Sequence, residues 1–243
     1  MTKNWVCSIW IILFLFEVKF LHAQNEVPLT NTEIESLVNP DQKKWRNVYL
    51  SLGGEFIDKH SINSNLLAQE IPEIADDLFY FGLGFSYRNQ DFLDTFESEL
   101  GFNFANNTNA DSDFGNSYTE FQLQFRYERK LAELKSAFFA IGLQGKYVFA
   151  GLDLYPENAE VNLDALSSSP NNTSLQHQAL FFGISFSFNY IHGDNNRLLL
   201  RMMVNYDFNL YAGNWEAEYG TIVNSFKENS ARFSIKLIIP LYF

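Results

Sequence analysis

The sequence predicts an all-β chain of eight antiparallel strands in up-and-down order, closed into a barrel. Three observations carry that expectation. Eight segments alternate apolar and polar side chains with period two, the mark of strands with two unlike faces. The seven links between them run long, short, long, short, long, short, long. Finally, every odd position of Ser230–Phe243 is apolar, up to the aromatic at the end. In an open sheet that last strand would be a long, sticky edge, and pairing it with the first strand removes the edge.

The N-terminus reads differently. Lys3 precedes an apolar run, Trp5 to Phe16, that is too short to span a bilayer as a helix, and Leu21-His22-Ala23 follows with a small residue at the cleavage point. This is the pattern of a secretory signal peptide over residues 1–23. Cys7 lies inside it, so the mature chain has no disulfide, no thiolate nucleophile and no thiolate metal site. Residues 24–44 are polar, carry Pro28 and Pro40, and read as a flexible lead-in with a helical turn at Thr32–Leu37. The barrel is expected over 45–243.

The strands are expected at Arg46–Ile57, Leu78–Arg88, Asp94–Ala105, Ser117–Arg129, Ser136–Phe149, Gln178–Ile191, Arg197–Leu210 and Ser230–Phe243. The long links are Asp58–Asp77, with a short helix at Leu66–Ile74, then Asn106–Asn116, Ala150–His177 and Tyr211–Asn229. The short ones are Asn89–Asp91, Lys130–Lys135 and His192–Asn196.

Side-chain size says which face points outward. One face is large and apolar, as in Phe79, Phe81, Leu83 and Phe85, or Leu198, Leu200, Met202 and Val204. The other is crowded with small residues, among them Ser51, Gly53, Gly82, Gly84, Gly101, Gly142, Ser185 and Ser234. An eight-stranded barrel has room inside only for a filling of side chains. The small polar face therefore belongs inside and the large apolar face against lipid. A soluble barrel would invert this and carry Lys and Glu outside. The fold class is thus an eight-stranded antiparallel up-and-down transmembrane β-barrel.

The inward face then holds twelve charged residues. Glu55, Glu120, Lys146, Asp207 and Arg232 fall toward one end, Arg88, Glu97, Glu99, Arg126, Glu128 and Arg201 toward the other, and Lys236 near the middle. A buried charge without a partner costs several kcal/mol, so these are expected to pair into a network that seals the interior, with a narrow ion path as the alternative.

No nucleotide-binding Gly loop, HExxH, Cys cluster or GxSxG is present, and no catalytic residue, metal site or cofactor is expected. The long links carry fourteen acids against two bases, Lys59 and Lys227, an excess equal in size to the net charge of −12. That acidity argues against nucleic acid and suits divalent cations or a basic partner.

A chain of this length whose alternation runs from Trp45 to a C-terminal Phe243 resembles the small bacterial outer-membrane barrels of the OmpA-transmembrane/OmpX type. The resemblance implies short periplasmic turns, long extracellular loops, a periplasmic 24–44 segment and an outer-membrane location in a Gram-negative envelope. It implies that Phe233, Ile235, Leu237, Ile239, Leu241 and Phe243 form the insertion signal read by the barrel-assembly machinery. Partners would be outer-membrane lipid and lipopolysaccharide, and the protein a monomer. The fold hosts anchors, adhesins, small porin-like channels and enzymes, so role is not implied. Some such barrels modify lipid with a His and a Ser near the rim. The matching candidates are His60-Ser61 and Ser174 with His177, while His192 falls in a short turn at the other end. A structural or surface-interaction role without enzyme activity is the main expectation, and a lipid hydrolase the alternative.

Overall fold

In the computed structural model the described residues are 45–88, 93–107, 113–156, 172–192, 197–218, 222 and 227–241. The expected signal peptide, the 24–44 segment, Phe243, and the loop acids Asp111, Glu157, Glu160 and Asp164 lie outside them.

The elements are β1 (Trp45–Ile57), α1 (Asn63–Leu67), β2 (Asp77–Arg88), β3 (Asp94–Asn107), β4 (Phe114–Leu134), β5 (Ala137–Pro156), β6 (Thr173–His192), β7 (Arg197–Ala212), a two-residue β8 (Glu216–Ala217) and β9 (Arg232–Leu241). Each long strand pairs antiparallel with the next, and β9 pairs with both β7 and β1, from Val48–Leu241 to Ile57–Arg232. The sheet therefore closes as an eight-stranded barrel, and the tiny β8 merely lies on β6 at Leu175 and Gln176.

Register sets the tilt. From Asn47 the ladder passes through Ser86, Glu97, Arg126, Gln144, Gly183, Asp207 and Arg232 and returns to β1 at Ile57, ten residues further along. A stagger of ten residues over eight strands, at the usual strand spacings, corresponds to a tilt of roughly 40°. It is this stagger that carries inward side chains of distant strands to the same height.

The two faces separate completely in character. Phe79 (53 % exposed), Phe125 (50 %), Leu143 (51 %) and Met202 (53 %) belong to an outward belt of large apolar groups. Aromatic pairs knit that belt across strands, such as Phe96–Tyr127 at 4.9 Å and Phe102–Phe121 at 5.3 Å between ring centroids. Inside, Glu55, Glu120 and Asp207 are wholly buried. Small inward residues make that possible. A Cβ on Gly84 would strike the ring of Tyr49, and one on Gly101 the ring of Tyr80, so these glycines hold open the space that two interior tyrosines fill.

Several expected boundaries are corrected. The links at 106–116 and 150–177 are shortened from both ends, because β3 and β4 stay paired to Asn107–Asn116, β4 and β5 to Phe114–Pro156, and β5 and β6 to Leu154–Thr173. Their Asn, Asp and Ser read as loop, but two strands in register satisfy each other's backbone groups whatever the side chains. The link at 130–135 shrinks to Lys135–Ser136. There β4 continues through a bulge between Lys130 and Ala132. Leu198 does not join the outer apolar face. A register shift opposite Tyr190 and Ile191 turns it inward, where Leu198 packs with Phe138, Ala140 and Ile191 near the short-turn end. The helix expected at Leu66–Ile74 is instead α1, Asn63–Leu67. Pro72 lacks the N–H a helix needs, and Asn63 ties down the remainder by donating Nδ2 to the Ile74 carbonyl and accepting the Ile74 N–H, both at 2.9 Å.

The segment 58–76 forms a lid. Its Ile62, Leu66, Ile71 and Ile74 share one buried cluster with Tyr118 of β4, Ala150 and Leu152 of β5, and Trp215. The two ends of the lid are held by backbone bonds, Ile57 N–H to the Asp76 carbonyl at 2.7 Å and Asp58 N–H to the Ala231 carbonyl at 3.1 Å. Asn107 and Asn116 donate their side-chain amides to the Glu73 and Pro72 carbonyls at 2.6 and 2.5 Å.

Candidate functional site

Beneath the lid the barrel is filled by three groups of charged side chains. Each group arises because alternate residues of one strand face inward and the stagger aligns them with those of others.

Nearest the lid, Arg232 Nη1 donates to Glu55 Oε1 at 2.7 Å and to Glu120 Oε1 at 2.6 Å. Lys146 Nζ bridges Glu55 at 3.1 Å and Asp207 at 2.6 Å. Gln122 donates to both Glu55 and Glu120, Tyr118 donates its hydroxyl to Glu120 Oε2 at 2.6 Å, and Gln144 donates to Asp207. The Arg232 guanidinium also lies over the Phe181 ring, 4.6 Å from its centroid.

In the middle, Lys236 Nζ donates to Glu99 at 2.8 Å and to Gln124 at 2.9 Å, and sits 3.7 Å above the Tyr80 ring. Tyr80 donates its own hydroxyl to Glu99. Toward the short-turn end, Arg126 pairs with Glu97 at 2.7 Å, and Arg201 spans Glu97 and Glu128. Ser185 and Ser187 donate to Glu128 at 3.0 Å each, and Arg88 donates to Ser86 at 2.8 Å.

The twelve charged residues expected inside are thus all buried, six acids against six bases. Such balance matters, since an ion stripped of water and left unpaired costs several kcal/mol. The neutral members, Tyr80, Tyr118, Gln122, Gln124 and Gln144, were not expected as partners. Their only signal is position, on the same alternating inward face as the charges.

Above the first group lies a second cluster that the sequence did not bring together. His60 from the lid and His177 from β6 are both buried, His60 edge-on to Tyr118 (5.2 Å) and His177 against Trp215 (4.8 Å). Glu228, counted by sequence among the surface acids, is buried beside them. One of its oxygens accepts the Ser61 N–H at 2.7 Å and lies 3.9 Å from His60 Nδ1, and the other accepts the Trp215 indole N–H at 3.3 Å. Burial foremost, then the Arg232 charge, pushes the His60 imidazole down to about 4, while burial pushes the Glu228 carboxyl up.

This arrangement corrects the rim location expected for a lipid-cleaving His–Ser pair. Neither ring nitrogen of His60 or His177 makes a hydrogen bond, and Ser174 donates instead to Asp153 at 2.5 Å. The His–Ser contact that such a pair would use is therefore not formed at Ser174. Among the described residues, no three His, Cys, Asp or Glu side chains converge to hold a metal ion.

No family model matches the chain, and no curated protein matches it. Solved structures do resemble it. The fold is that of a small eight-stranded barrel. Neisserial surface protein A aligns over 82% of this chain and 99% of its own, at 9% identity and a TM-score of 0.48. A major outer membrane protein from Thermus thermophilus covers 81% of this chain and 99% of its own at 11% identity and a TM-score of 0.47. Ail, the attachment invasion locus protein of Yersinia pestis, covers 81% and 96% at 8% identity and a TM-score of 0.45.

Proposed function

We propose that this chain is an integral barrel of a bacterial outer membrane, with a structural or surface-interaction role, no enzyme activity and an interior closed to ion flow. One observation carries the reading: the barrel is inside out for water. Six acids and six bases are buried inside the barrel, most of them in direct ion pairs, and its large apolar side chains form an exposed belt. Monomeric proteins in water rarely show a contiguous apolar patch beyond a few hundred Å², whereas lipid calls for such a belt around a strand barrel. No helix among the described residues is long and apolar enough to cross a membrane, which says nothing of crossing by strands.

On this reading residues 1–23 direct export and are removed. The assembly machinery reads the Phe233–Phe243 strand, and the lid and long hairpins face outward. Their acids meet lipopolysaccharide through shared divalent cations, or meet a basic partner. Interior closure rests on the balanced, largely ion-paired filling of six acids and six bases and on the apolar lid above it. The test is planar-bilayer recording on refolded protein, together with protease treatment of intact cells. We expect no steady conductance, and cleavage in the Ala150–His177 link with Lys130–Lys135 spared. Steady single-channel current would replace the closed barrel by the channel alternative, and cleavage at Lys135–Ser136 alone would invert the orientation.

A further inference from the structure

The two histidines beneath the lid do something that space filling does not explain. His60 and His177 are 0 % and 2 % exposed, and none of their four ring nitrogens has a hydrogen-bonding partner. The backbones of Ala75 and Gln178 approach His60 and His177 respectively, yet no bond of ordinary geometry results at either ring. Burying polar atoms unpaired is costly, and a Phe or Leu would fill the same space without that cost. The two rings also come from different structural units. His60 belongs to the lid and His177 to the barrel wall, so the interface between lid and wall passes between them.

We propose that His60 and His177 are an acid-operated catch. Uncharged, they let the 58–76 lid seat in the barrel mouth; each taking one proton from solvent, they drive it out.

The groups facing the pair fix the direction. From below, Arg232 of β9 presents a cation, itself held by Glu55 of β1 and Glu120 of β4. Tyr118 of β4 presents its ring to His60 and keeps its hydroxyl on Glu120. Glu228, in the segment leading to β9, stands 3.9 Å from His60 Nδ1. The lid's own charges, Asp58, Lys59, Glu70, Glu73 and Asp76, are exposed. Glu120 favours a proton on His60, but desolvation and Arg232 outweigh it and leave the ring at about 4, against its usual 6.5.

A histidine held low in the closed state binds protons more tightly once the lid opens. Closure is therefore fully favoured above about pH 6.5 and loses ground as pH falls toward 4. His60 alone shifts the open-to-closed ratio by roughly 100-fold between pH 7 and pH 4, where half of the closed-state rings are protonated. Glu228 acts in the opposite sense, since burial raises its carboxyl and acid relieves the cost of keeping it inside. The lid is suited to local opening. Apolar packing and a few bonds hold it, while the barrel's ladders are continuous.

The experiment is hydrogen–deuterium exchange on the refolded full chain between pH 7 and 4, normalised to intrinsic rates. It follows the lid amides of Leu66 and Ile71, which donate to the Ile62 and Leu66 carbonyls. We expect their protection to fall by ~100-fold or more while the barrel strands stay protected, following the proton linkage above. In the His60→Gln, His177→Gln double variant the fall should largely vanish, and in Glu228→Gln it should grow. An equal fall in wild type and double variant overturns the proposal, as does unchanged protection at pH 4. Should the double variant fail to fold, the histidine ring protons of wild type can be titrated by NMR. Titration of His60 near pH 6.5 with the lid still protected would equally overturn it. Neither readout depends on whether the lumen conducts.

Discussion

The charged layer at Arg232 and the histidine cluster directly above it are both sealed from water, and both bury polar atoms without hydrogen bonds, Arg232 Nε and Nη2 in the one and the imidazole nitrogens in the other, yet the layer sets its cations directly against carboxylates. In the layer, Glu55, Glu120, Lys146, Asp207 and Arg232 share partners, with glutamines and a tyrosine hydroxyl filling in. In the cluster, both imidazoles are left without hydrogen bonds, while Glu228 accepts from the Ser61 N–H and the Trp215 indole. The layer is built by strands whose register repeats every two residues. The cluster is built where a loop meets a wall. Barrel ladders deliver side chains to fixed heights, so charges can be matched once and stay matched. A lid has no ladder, and what it buries can be left poised.

The comparison breaks most visibly if the layer loses its shared cation. Arg232→Met strands Glu55 and Glu120 with Lys146 as the only remaining base of the group, and should cost about 3–5 kcal/mol in urea unfolding from lipid vesicles. A cost below 1 kcal/mol would show that the layer is hydrated rather than sealed.

Next in size is the outer face. Leu237→Arg on β9 places a charge on the apolar belt and should cost about 2–4 kcal/mol in the same assay if it sits near the bilayer midplane. No effect would mean that this face does not meet lipid.

Third comes the lid. Asn63→Ala removes two buried hydrogen bonds to the Ile74 backbone, leaves those groups unpaired, and should cost about 1–3 kcal/mol. The loss should appear as faster exchange of the lid amides, with the global unfolding midpoint unmoved. A shift of that midpoint would join lid and barrel into one cooperative unit.

The smallest effect is expected at Lys130, which pairs with Glu133 at 2.9 Å across an exposed stretch of β4. Lys130→Ala should change stability by less than about 1 kcal/mol, because water screens such a pair. A larger loss would mark that bulged strand end as part of a contact.

How far the sequence reached follows the same division. Alternation located all eight strands, and side-chain size told the outward face from the inward one. It also put Glu120, Gln122, Gln124, Arg126 and Glu128 of β4 in one inward row, because period two needs no partner to be read. Alternation failed where the ladder slips: one bulge turned Leu198 inward, against the pattern of its own strand. Hairpin length was hidden too, because Asn107 and Asn116 pair through their backbones, which side-chain chemistry does not report.

Which charges meet was beyond the sequence. Glu55 and Arg232 lie 177 positions apart, and only the ten-residue stagger of the closed sheet sets them side by side. The lid was equally hidden. Ile62, Leu66, Ile71 and Ile74 are scattered through a polar stretch that suggests only a short helix, and they form a face only when the barrel mouth supplies the other half. The sequence by itself determined the strands, their faces and the need to neutralise a charged interior, since these follow from local period and from desolvation. Tertiary structure alone decided the partners, the lid and the placing of His60 against the wall that holds His177, since each depends on which distant segment the closed barrel brings within a few ångströms.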